Sequence, residues 1–123
     1  MANLDDLRRI AEVEFAAIVK DCISMDFKLR ILLADNSFID VFLSERLPDK
    51  FAFHWERMDK SGTIYRYDNV PDKECKKLET FPFHFHKGSQ GEAENSPFPQ
   101  NPIAGFRSFM EFVHEKLRTS PTP

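Results

Sequence analysis

Arg66, Asp68, His84 and His86 are the residues here whose types and spacing suit proton transfer and anion stabilisation. They sit in two short words, Ile64-Tyr65-Arg66-Tyr67-Asp68-Asn69 and Thr80-Phe81-Pro82-Phe83-His84-Phe85-His86-Lys87-Gly88. Each word alternates as a strand does, because successive strand side chains leave opposite faces. Tyr65 and Tyr67 fall on one side with Phe81, Phe83 and Phe85; Arg66, Asp68, His84 and His86 fall on the other. One imidazole can accept a proton near neutral pH while another donates one. An arginine fork stabilises charge developing on a phosphoryl group, and Asp68 orients it or a histidine. Together these are the parts needed to cleave RNA through its own 2′-hydroxyl, without a metal or other cofactor.

Two other readings stay open. His84 and His86, two apart on one strand face, can converge on a divalent metal, with His54, Asp68 or Glu56 as further donors. No companion metal motif accompanies them. The same face can also hold a nucleic acid or protein without catalysis. Most of the aromatic residues belong in a core; Tyr65 and Tyr67, with His54 and Lys87, are the candidates for substrate contacts.

The scaffold follows from pattern. Asn3 can cap a first helix carrying Asp5 and Asp6 in its first turn and an apolar stripe from Leu4 to Val19, ending near Lys20. Alternation from Cys22 to Leu33 predicts one long strand. Asp35-Asn36-Ser37 turns into a second strand, Phe38 to Glu45, which leaves Phe38 and Phe42 among polar neighbours, one place for a partner to pack. After a break at Pro48-Asp49, a third strand carries Phe51, Phe53 and Trp55. Asp59-Lys60-Ser61-Gly62 turns into a fourth, Thr63 to Asp68, and a lysine-bearing loop with Cys75 leads to a fifth, Thr80 to His86. Pro82 predicts that this fifth strand lies at an edge or beside a bulge. Gly88 to Asn101 reads as a mobile loop. Asn101 and Pro102 then start a last helix striped by Ile103, Phe106, Met110, Val113 and Leu117. The expectation is a two-layer α+β fold: a five-stranded antiparallel meander with N- and C-terminal helices on one face, in a single domain over residues 1–118, followed by a disordered tail, 119–123.

The chain has 123 residues and a formal net charge of −3, which argues against coating nucleic acid by bulk charge. Residues 50–90 nevertheless carry eight Lys/Arg against six Asp/Glu, the only stretch with an anion-friendly balance. Two cysteines without metal spacing and an acidic start without an apolar run predict a reduced, cytoplasmic protein with no membrane span.

The combination Tyr65-Arg66-Tyr67-Asp68-Asn69 with Pro71, then Thr80-Phe81-Pro82 with His84, His86 and Gly88, resembles the small TumE-like toxins of prokaryotic toxin–antitoxin operons. The resemblance implies a growth-inhibiting toxin acting on RNA and a cognate antitoxin partner, for which a DNA-binding segment is one expectation. It also implies histidines at two places where this chain has Asp72 and Phe83.

Overall fold

The structure, a computed structural model, describes residues 3–44, 46–47, 50–70, 76–89, 91 and 93–119. Helix α1 (Leu4–Glu14) opens on a reciprocal cap: the Asn3 side chain accepts from the Asp6 amide and Asp6 accepts from the Asn3 amide. A continuous antiparallel sheet follows, its strands β1 (Val19–Ser24), β2 (Leu29–Leu33), β3 (Phe38–Leu43), β4 (Phe51–Arg57), β5 (Thr63–Asp68), β6 (His84–Gly88) and β7 (Ala93–Asn95) neighbouring one another in chain order. A short helix α2 (Met58–Ser61) joins β4 to β5, and α3 (Pro102–Thr119) closes the fold. The expected α+β meander is therefore present, with seven strands among the described residues rather than five.

Each departure has a local cause. The long strand expected over 22–33 is a hairpin: the Met25 amide donates to the Lys28 carbonyl at 2.8 Å, and of the expected apolar row only Leu29 and Ile31 are buried, whereas on the β1 side Cys22 is buried and Ile23, Met25 and Phe27 are exposed. The first helix stops at Glu14 rather than near Lys20, because the amides of Ile18 and Val19 turn back to the Phe15 carbonyl. β6 begins at His84, after a turn closed by Phe83 N–H donating to Thr80 O at 2.8 Å and containing a cis Phe81–Pro82 peptide. Pro82 thus lies outside the ladder, and β6 is an inner strand, not an edge. The segment expected to be a loop contains β7, three residues too polar to show a strand pattern. The breaks expected at Pro48-Asp49, the loop residues 71–75 and the tail beyond Thr119 lie outside the described residues; Thr119 itself ends α3.

Both long helices cover the aromatic face. Cross-strand pairing aligns Val41, Phe53, Tyr67 and Phe85 in one row and Ile39, Trp55 and Tyr65 in another. α3 adds Phe106 and Phe109, with Phe106 edge-on to Phe53 at 5.3 Å between centroids. Each such ring contributes about 1.5–3 kcal/mol on leaving water, so this layer holds the sheet rigid beneath its other face. Asn101 caps α3, its side-chain oxygen accepting from the amides of Ile103 and Ala104. The β1 edge is blunted. A bulge interrupts it between Val19 and Asp21, Asp21 accepts from the Cys22 amide at 2.8 Å, and Arg8 donates to the Cys22 carbonyl.

Candidate active site

The open face of the sheet is ordered in rows. Arg30, Asp40, His54, Arg66, His86 and Ala93 are successive cross-strand partners from β2 to β7, and Phe42, Ala52, Asp68, His84 and Asn95 form the next row. Residues from the two sequence words thus meet because β5 and β6 pair with Arg66 opposite His86 and Asp68 opposite His84. His54, from β4, completes an imidazole–guanidinium–imidazole line across three strands.

Asp68 is the hub. It is 2 % exposed, with Oδ1 3.0 Å from His84 Nε2 and accepting from the Val70 amide at 3.0 Å, while Oδ2 accepts from Arg66 Nε at 2.7 Å. Burial opposes ionisation of this carboxyl, but the hydrogen bonds and charges of His84 and Arg66 outweigh it and hold Asp68 below the usual carboxylate range. His84, 3 % exposed, points its Nδ1 at the Pro82 carbonyl at 3.1 Å. A carbonyl and a carboxylate only accept, so making both bonds at once requires a proton on each ring nitrogen. His84 is therefore a buried strut between Asp68 and the turn before β6. His86 stands beside it, ring centroids 5.0 Å apart, and is only partly buried.

His54 Nε2 lies 3.2 Å from Glu56 Oε1, and its Nδ1 is buried with no hydrogen-bond partner among the described residues. Together with Arg66 it lines an open basin of about 420 Å³ whose other walls are Lys28, Asp40, Phe42, Ala52 and Val70. The basin exists because Ala52 contributes only a methyl between Phe42 and Asp68. Its borders are positive despite the acidic total. Asp40 receives both Arg30 and Lys28, leaving one surplus cation there, and Asp68 receives Arg66 together with the His84 ring.

The remaining sequence candidates lie elsewhere. Tyr65 and Tyr67 are in the core on the opposite face, with the Tyr67 hydroxyl donating to the Pro99 carbonyl at 2.8 Å and burial pushing its pKa up to about 12. Lys87 pairs with Tyr65, so it too leaves on the helix side, where it is exposed. A ligand on the open face meets none of the three. Phe38 is covered by the Arg30 guanidinium, 4.1 Å from its ring centre, whereas Phe42 stays exposed. Asn69 was not singled out from sequence. Its side chain accepts from the Phe51 amide at 2.9 Å, holding β5 to β4 just past Asp68. An asparagine ending a strand was the available signal. Lys28 gave none, since only the fold sets it in one basin with His54, whereas Ala52, two residues before His54 on β4, shares its face by alternation.

A small α+β domain with helices on one face of an antiparallel sheet and a histidine–arginine row on the other defines the class. The family model described as toxin TumE matches residues 4–117, and the chain belongs to that family. Neither the curated proteins nor the solved structures include a significant match. Family membership carries a toxin role and an antitoxin partner. No helix among the described residues is long and apolar enough to cross a membrane.

Proposed function

We propose that this toxin is a metal-independent endoribonuclease that works on the open sheet face. The observation that supports the reading best is the line of His54, Arg66 and His86, in register on three adjacent strands. A phosphodiester over Arg66 has an imidazole on either side, the arrangement that in-line transfer needs. One histidine takes the proton of the RNA 2′-hydroxyl as its oxygen attacks phosphorus. The other gives a proton to the departing 5′-oxygen, so the P–O5′ bond breaks and a 2′,3′-cyclic phosphate forms. Arg66 holds the phosphoryl oxygens through the donors that Asp68 does not engage.

In this scheme Asp68 and His84 position the site. Asp68 fixes the plane of the Arg66 guanidinium, and His84, which has both ring nitrogens directed at acceptors, holds Asp68. The test is induced expression of wild type, His86→Ala, His54→Ala and Arg66→Ala, each verified as folded, with RNA from the cells and purified RNA incubated in chelator. Growth arrest and cutting by wild type alone support the scheme. Arrest by every variant, or cutting that chelator abolishes, overturns it. A metal-dependent enzyme then follows from loss in chelator, and a binding module from wild type and variants that are all equally harmless or equally toxic, with no RNA cut by any of them.

A further inference from the structure

We infer that Asp68, His84 and His86 form a binding site for a divalent transition-metal ion of the zinc class, and that the ion acts as an inhibitor. Each residue offers one ligand atom, and the three atoms lie within 4.8 Å of one another. Zinc–nitrogen and zinc–oxygen bonds near 2.0–2.2 Å place neighbouring ligand atoms about 3–3.5 Å apart. The 3.0 Å between His84 Nε2 and Asp68 Oδ1 is already at that spacing. His86, the partly buried member, closes the set by a side-chain rotation.

The surroundings resemble those of a ligated metal. A metal-bound histidine characteristically donates its other ring N–H to a carbonyl, and a bound carboxylate is itself hydrogen-bonded. Here His84 Nδ1 lies 3.1 Å from Pro82 O, and Asp68 Oδ2 accepts from Arg66 Nε at 2.7 Å. The positive charge needed between His84 Nε2 and the carboxylate is one that a proton or a metal ion can supply. Two imidazoles and one carboxylate select zinc, cobalt or nickel over magnesium or calcium, which favour all-oxygen sites. Three protein ligands leave a fourth position open.

Occupancy commits the His86 ligand nitrogen to the ion and removes that histidine from proton transfer. Binding does not depend on the RNA reading; only the inhibition does. The experiment is calorimetric titration of Zn²⁺ into metal-stripped, RNA-free protein, repeated with His86→Ala, His86→Gln and Asp68→Asn, and with Cys75→Ser and His114→Ala as controls. We expect one saturable equivalent for wild type and both controls, at least tenfold weaker binding for the site variants, and no heat with Mg²⁺. Co²⁺ in place of zinc should give the visible absorption of a low-coordinate site, lost in His86→Ala. No saturable Zn²⁺ binding, or equal binding by wild type and the His86 variants, overturns the site. Cleavage that rises with Zn²⁺ overturns the inhibition, whereas cleavage in chelator reports on the RNA reading alone.

Discussion

Two carboxylates organise the charged side chains of the open face, and they differ in depth. Removing the charge of Asp68 breaks its buried pair with His84 and leaves Arg66, which reaches the open basin, without its carboxylate, so Asp68→Asn should cost about 3–5 kcal/mol in urea denaturation and should also loosen the guanidinium above it. Asp40 holds Arg30 and Lys28 nearer to solvent. Burial opposes its ionisation, but the hydrogen bonds of Arg30 and Lys28 prevail and lower its pKa. A carboxyl with a folded pKa below its unfolded value near 3.9 stabilises the fold above that value and loses the contribution as pH falls through the folded one. The stability difference between wild type and Asp40→Asn should therefore be about 1 kcal/mol at pH 7, given the remaining water contact. It should close towards pH 3, as followed by urea midpoints across that range.

At the scale of elements, the register of β5 with its neighbours depends on how α3 docks. Gly105 of α3 packs so closely that a Cβ there would stand 2.7 Å from the Pro99 carbonyl and 3.1 Å from the Tyr67 ring. Alanine gains up to about 1 kcal/mol in helix propensity, yet the backbone carbonyl leaves no room for it. Gly105→Ala should lower the melting temperature, with a net loss of about 1–3 kcal/mol. The β1 edge makes a second prediction. Arg8→Ala combined with Asp21→Ala exposes the Cys22 amide and carbonyl for pairing with another chain. Sedimentation should show a concentration-dependent larger species that wild type lacks.

For the whole molecule, stability should reside in the aromatic layer and chemistry on the opposite face. Phe53→Ala, at a fully buried position between β4 and α3, should cost about 3–5 kcal/mol. Arg107→Ala breaks only an exposed bridge to Glu14 between the two long helices and should cost less than about 1 kcal/mol in the same urea assay. This separation explains what could be read in advance. Alternation in the two motif words placed Arg66, Asp68, His84 and His86 on one face, since a period of two depends only on neighbouring residues. The caps at Asn3 and Asn101 were legible for the same reason: their donors lie within three residues. Alternation could not reveal the hairpin inside 22–33, where the sequence pattern runs on through the turn although Ile23 ends opposite Arg30 and exposed, nor β7, which has too few apolar residues to show one. Above all, the different surroundings of the histidines are tertiary. His84 meets Asp68, and His54 joins Arg66, because strand register brings together groups far apart in the chain, while the turn before β6 aims the Pro82 carbonyl at His84. Residue type and period determine which side chains share a face. Pairing and burial decide which of them is a strut and which can meet a ligand.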